Sequence, residues 1–186
     1  MAQNTINANG QILRDARSRY RTARREEGGA HGAYEGETRR AGGAPRAEVT
    51  VRREPTPAAA AAHFGDSVAE VVVRERRMYN GERVVQLADT WVPLDVAEAA
   101  GIEQVDTGVG GIISRMAEAG FAQTEVTEDV TQRPATPAEA DALGVDPGSP
   151  VLEITHVGYT DAGRAVEVTR HTLGPGWTLR YSVPLD

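Results

Sequence analysis

Residues 67–93 read SVAEVVVRERRMYNGERVVQLADTWVP, two β-rich runs that meet at Asn80-Gly81. This dipeptide marks a two-residue hairpin because both positions tolerate positive φ. A turn centred there pairs Tyr79 with Glu82, Arg77 with Val84, Arg76 with Val85 and Arg74 with Leu87. Arg74 and Arg76 then share one face. Side chains two apart on a strand lie about 6.6 Å from each other and point the same way, so the two guanidiniums form a many-donor fork suited to a carboxylate or phosphate. The competing reading pairs Arg74 diagonally with Asp89 as an ordinary exposed ion pair. Spacing alone leaves both open.

Around this ribbon, 186 residues with 40% hydrophobic and 25% charged content suit one globular domain with a short extension. The expected division is a tail and linker helix over residues 1–30 and a ligand-binding domain over 31–186. The chain has no cysteine, which rules out a disulfide framework, a Cys-type zinc site and a thiol nucleophile. No basic-then-apolar leader opens the sequence, and no apolar run nears the roughly 20 residues that span a bilayer. A soluble, cytoplasmic protein without membrane contact is expected. Residues 1–53 hold 11 arginines against 6 acids, whereas residues 54–186 hold 9 against 21, so the body repels nucleic acid. All twenty basic residues are arginine, which with the Ala and Gly bias points to a GC-rich bacterial genome rather than to a chemistry.

From the start, the stretch MAQNTINANGQIL is polar and aperiodic and reads as a frayed terminus. Arg14 to Glu27 reads as a charged linker helix without an apolar stripe, stopping at Gly28-Gly29. Its acids and lack of a second helix argue against DNA binding by this piece. Gly32 to Arg40 fits either a strand or a short helix, Ala47 to Glu54 alternates like a strand, and Thr56 to Phe64 is helical with Pro57 in its first turn. Beyond the ribbon, Leu94 to Ala100 is a helix ended by Gly101, and Ile112 to Ala119 is an amphipathic helix. Gln123 to Arg133 is a strand, Pro137 to Leu143 a helix that Thr136 caps, and Val151–Thr160, Ala165–Leu173 and Trp177–Val183 a three-stranded meander with a loop at Asp161-Ala162-Gly163.

Two places on this chain could carry chemistry beyond the fork. The run Thr107-Gly108-Val109-Gly110-Gly111 leads into a helix whose N-terminal N–H groups suit an anion, although a plain flexible loop fits as well. In the meander, Glu153, Val157 and Tyr159 are expected to share a face with His171, Glu167 and Ala165, which brings a carboxylate to an imidazole; a surface pair is the bland reading. No GxSxG elbow, HExxH, P-loop or paired-His pattern is present, and His31, His63, His156 and His171 are scattered. No catalytic residue, metal or cofactor is assigned.

The blocks VVVRERRMYNGERVVQLADTWVP, DTGVGGIISRMAEAG and TPAEADALGVDPGSPVLEITHVGYTDAGRAVEVTRHTLGPGWTLRYSVP together resemble the effector-binding half, or UTRA domain, of GntR-type transcription regulators of the HutC subfamily. The resemblance covers about residues 30–186. It implies a chorismate-lyase-like α/β (α+β) fold, an antiparallel sheet with packed helices, a homodimer, and a sensor of small, often anionic effectors. It further implies that Arg74 and Arg76 lie on the anion-reading strand, Gly110 and Gly111 at the helix-terminus phosphate position, and Glu167 on the penultimate strand. Glu128, His156, His171 and Tyr181 complete the candidate ligand-binding set. His156 stands where relatives usually carry Arg, and the glycines replace Ser or Thr, which argues against a sugar phosphate.

Such regulators read DNA through a winged helix-turn-helix of roughly 65–70 residues, more than Met1 to Arg25 can hold. The expectation is a chain without that head, which does not bind an operator by itself. Two further classes stay open: a chorismate-lyase-fold enzyme using Arg74, Arg76 and a Glu on a small organic acid, and a modulator that heterodimerises with full-length regulators.

Overall fold

The structure is a computed structural model describing residues 12–183 and 185; of the frayed terminus expected over residues 1–13, residues 1–11 lie outside the described residues, whereas Ile12 and Leu13 are not frayed but belong to a strand, with Ile12 buried. Strand β1 (Ile12–Asp15) leads into two single-turn helices, α1 (Ala16–Arg19) and α2 (Thr22–Arg25), and a tight helical turn at Glu27–Gly29. Helix α3 (Ala33–Arg40), strand β2 (Pro45–Pro55) and helix α4 (Ala58–Phe64) precede the ribbon, β3 (Glu70–Asn80) and β4 (Arg83–Pro93). There follow α5 (Leu94–Ala100), α6 (Gly111–Glu118), β5 (Glu125–Pro134), α7 (Pro137–Leu143), β6 (Pro150–Tyr159), β7 (Ala165–Leu173) and β8 (Trp177–Arg180). No helix among the described residues is long and apolar enough to cross a membrane.

The α+β architecture is the expected one. Six antiparallel strands form one sheet in the order β2-β3-β4-β7-β6-β5, so two three-stranded meanders meet along β4 and β7. One face is covered by α5 and α6, where Val72 and Val92 pack with Val96, Ala97, Ile102, Ile112 and Met116. On the opposite face Val71, Val73, Trp91, Val157 and Val168 pack under Ala60 of α4, while Ala140 and Leu143 of α7 cover Val151. The capping expectation for α7 holds: Thr136 Oγ1 accepts from Glu139 N–H and the Glu139 carboxylate accepts from Thr136 N–H.

Both hairpins form, but each carries one extra residue. Asn80 pairs with Arg83, so the first loop is Gly81–Glu82, with positive φ (61°) only at Gly81. Val85 then bulges between the Tyr79–Val84 and Met78–Gln86 pairs, which sets Arg76 opposite Ala88 and Arg74 opposite Thr90, not Val85 and Leu87. Asp89 consequently sits opposite Glu75 on the other face, where Arg170 Nη2 donates to it at 2.6 Å. The Arg74–Asp89 pair is not made. In the second hairpin the loop is Asp161–Gly163 as expected, closed by Thr160 N–H to Arg164 O at 2.9 Å with Gly163 at φ 74°. Val166 bulges next, so Gly158 opposes Glu167 and Ile154 opposes His171. Glu153 points away from His171, faces Thr172 and accepts from Arg133 Nε at 2.7 Å.

Two other expectations change. Strand β8 is not the third strand of a meander, because β7 already lies between β4 and β6; it pairs parallel with β1, from Ile12↔Trp177 to Asp15↔Arg180. Arg14 to Glu27 is not one helix: Arg14 and Asp15 belong to β1, and the helical part breaks after Arg19 and again after Arg25. Ion pairs dock it where an apolar stripe is missing, since Arg14 bonds Glu128 and Arg19 bonds Glu37, all with side chains at most 5% exposed.

Hydrogen bonds from Arg133 hold the Glu139 carboxyl down at about 2, against about 4.3 in an unfolded chain. A depressed folded value contributes stability above the unfolded pKa, and that contribution is lost as pH falls through about 2. Urea midpoints measured from about pH 5 down to about pH 2 are expected to fall less steeply in Glu139→Gln than in the parent; parallel profiles would remove Glu139 from the acid transition.

Candidate ligand-binding site

The register converts the face beneath α6 into an ordered grid. Along β3 it presents Arg74, Arg76 and Met78; opposite them on the edge strand β2 lie Val51, Val49 and Ala47. On the other side come Thr90, Ala88 and Gln86 of β4, then Thr169, His171 and Leu173 of β7, with His156 of β6 opposite Thr169. The floor is therefore apolar at the β2 edge, cationic along β3 and polar toward β6. Over it, α6, the loop at Val105–Thr107 and the N-terminal segment enclose a cavity of about 350 Å³. This is the small end of the range for small-molecule sites. Its mouth is marked by exposed residues, among them Val105 (58%).

The two arginines of the fork do different work. Arg74 Nη1 donates to the carbonyls of Ile102 (2.8 Å) and Gln104 (2.5 Å), and Nη2 to that of Val105 (2.8 Å). It is a buried brace for the loop after α5. Burial, reinforced by the Arg76 charge, pushes its pKa down to about 10. Arg76 has one side-chain partner, the Thr90 hydroxyl, and its buried Nε has none. Among the described residues no carboxylate comes within ion-pair distance of it. Burial lowers its pKa as well.

Glu167, His156 and His171 all line the cavity and are 2–6% exposed. Glu167 accepts from Gln123 Nε2 at 2.7 Å and from the Thr169 hydroxyl at 2.8 Å; Gly158, lacking a Cβ, leaves room for the Gln123 amide. Gln86 Nε2 donates to His171 Nδ1 at 3.0 Å, which puts the imidazole proton on Nε2. Burial, then the charges of Arg14, Arg19 and Arg76, lowers the His171 pKa well below its usual value, so it stays uncharged at neutral pH. His156 stacks on Tyr20 with centroids 4.9 Å apart, and neither ring nitrogen has a hydrogen-bond partner among the described residues. The imidazole that meets carboxylates is thus His156, 3.7 Å from Glu128 and 3.9 Å from Glu167.

Gly110 and Gly111 line the cavity at the start of α6, but their N–H groups are engaged, by Ala30 O (2.9 Å) and Gly108 O (3.1 Å). A Cβ at Gly111 would lie 2.8 Å from His31 O, so these glycines admit the N-terminal segment rather than leave a bare anion cradle. Glu128 and Tyr181 stand outside the cavity lining. Glu128 accepts from Arg14, from the Tyr20 hydroxyl and from the Tyr181 hydroxyl (3.3 Å). Burial by itself raises its pKa, yet His156, Arg14 and Tyr20 outweigh this and hold the carboxyl well below the usual range. It anchors the N-terminal segment.

That segment is what the sequence did not reveal. Arg19, Tyr20 and Arg25 line the cavity, with Arg25 donating to Tyr20 O (2.5 Å) and to Ser114 Oγ (3.2 Å). Helical periodicity contains no trace of this, because the segment is held by charge and by single turns.

Replacing the brace and the free guanidinium should separate their roles. Arg74→Ala leaves three carbonyls without their donor and is expected to cost about 3 kcal/mol in urea unfolding. Arg76→Ala removes a desolvated cation with one hydroxyl partner and is expected to stay within about 1 kcal/mol of the parent. Equal losses would make Arg76 structural too.

Comparison with known proteins bears on this geometry. The UTRA domain family model matches residues 40–174. An HTH-type transcriptional regulator of Mycobacterium tuberculosis is 30% identical over 105 residues, covering 54% of this chain and 38% of its own length. The chain thus spans well under half of that relative. Among solved structures, PhnF from Mycobacterium smegmatis superposes with a TM-score of 0.76 at 18% identity, over 95% of this chain and 73% of its own. The ligand-binding domain of a Bordetella bronchiseptica protein assigned to the GntR-family transcriptional regulators gives 0.67 at 23% identity, over 76% and 90%. The matched residues 40–174 leave out Arg19, Tyr20 and Arg25.

Proposed function

Because the chain belongs to the UTRA domain family, we propose that it is the effector-binding part of a GntR-type transcription regulator of the HutC subgroup, and that a small anionic metabolite binds without covalent chemistry in the cavity over the sheet. The observation that carries this reading is Arg76. A guanidinium facing an enclosed cavity with a hydroxyl as its one side-chain partner is costly unless an anion completes it. The resemblance to a protein described as a ligand-binding domain supports the same assignment.

Arg76, His156 and His171 are the proposed contacts, with Glu167 fixing the orientation of a polar substituent. Arg74 shapes the wall, Gly110 and Gly111 admit the N-terminal segment, and Glu128 and Tyr181 act through that segment. DNA is a partner of the whole regulator, through a winged helix-turn-helix distinct from these residues. Native mass spectrometry of freshly purified protein is expected to reveal a small-molecule adduct that Arg76→Ala loses. An adduct kept unchanged in that variant would put the site elsewhere.

The assembly proposed is a homodimer, since β2 and β5 are the unpaired edges of the sheet and two-fold pairing is the commonest way soluble chains cover such edges. Light scattering at micromolar concentration should return twice the 19.9 kDa chain mass; a monomeric mass would refute it.

A further inference from the structure

Charge and lining along the cavity specify more than an anion. Arg19 is met by Glu37 and Arg14 by Glu128. Arg25, Arg74 and Arg76 then remain on the cavity wall with Glu167 at the deep end and Asp106 at the mouth, and the Glu26 carboxylate stands beside Arg25, sharing the Ser114 hydroxyl with it. Arg74 is spent on backbone carbonyls, so the guanidinium left to meet a ligand at the deep end is Arg76, with the Thr90 hydroxyl as its side-chain partner among the described residues. Among the described residues, unpartnered polar atoms converge at the same end: Arg25 Nε, Arg76 Nε and the ring nitrogens of His156, one a donor and the other an acceptor in the neutral imidazole. Between this end and the mouth the wall is Ala47, Val49, Met78, Ile112 and Ile113, side chains that offer a ligand hydroxyl no partner.

Resting on the reading of this cavity as an effector site, we infer that the effector is a small carboxylic acid with an apolar body, bound head-first. Its carboxylate lies against Arg76, Arg25 and His156, and its body runs over Val49 and Ala47 beneath Ile112 toward the mouth. Arg25 belongs to the N-terminal segment, so that segment supplies part of the head-group site. A sugar phosphate fits poorly, because each hydroxyl along the apolar wall would lose water without replacement.

The test is calorimetric titration of the full chain near neutral pH with three probes: 4-phenylbutyrate, its uncharged amide, and glucose 6-phosphate. The acid is expected to bind at least about tenfold more tightly than the amide, the worth of one charge-assisted hydrogen bond, and more tightly than the sugar phosphate. Arg76→Gln should bring the acid down to the amide's level, and Val49→Asn should weaken acid and amide alike; circular dichroism checks that both variants fold. Tighter binding of glucose 6-phosphate would overturn the ligand class and leave the effector site standing. Equal binding of acid and amide would overturn the head-group assignment. Failure of all three probes to bind, or binding indifferent to Arg76→Gln, would overturn both this inference and the reading it rests on.

Discussion

Side chains alternate along a β-strand, so one unpaired residue sends everything beyond it to the opposite face. The bulges at Val85 and Val166 do this on β4 and β7, the two strands where the meanders join. Because of them Thr90, Glu167, Thr169 and His171 look toward α6 and Asp89 and Arg170 look away. Without the second bulge Glu167 and His171 would lie under α4 and α7, and the cavity would lose its polar end. The chemistry of the site is thus set by backbone register before any side chain chooses a rotamer.

Much of the fold was legible because it depends on local signals. Helices α5 and α7 have the bounds expected from Gly101, Thr136 and Pro137, and β7 from its alternation. The loops were placed within a residue, since glycine is needed wherever φ is positive. Facing was less legible. A bulge costs the sequence nothing recognisable: Val85 and Val166 are ordinary strand residues in valine-rich runs. The fork was seen on one strand and face, but its division into a brace and a free guanidinium depends on carbonyls of Ile102–Val105, a loop that only the fold brings to Arg74.

The N-terminal segment was the least legible part. Its docking relies on Arg14–Glu128 and Arg19–Glu37, pairs far apart in sequence and almost fully desolvated. Such pairs contribute little net stability, because desolvation offsets most of the attraction, but removing one partner is expensive. They act as registration marks: an arginine seated one residue off would strand a charge. Glu128, which also takes the hydroxyls of Tyr20 and Tyr181, gathers three distant stretches of chain onto one carboxylate.

The parallel pairing of β1 with β8 joins the two ends of the described chain, closing a loop that contains nearly the whole fold. Loop-closure entropy grows by only about 0.6 kcal/mol per doubling of length, so tying the ends costs little more than closing a loop half as long. The ladder is short, four residue pairs, yet it seats Ile12 and Arg14 at 2% and 1% exposure. A molecule that enters by the mouth at Val105 therefore meets a wall, Arg19, Tyr20 and Arg25, whose seat depends on the two chain ends being tied together.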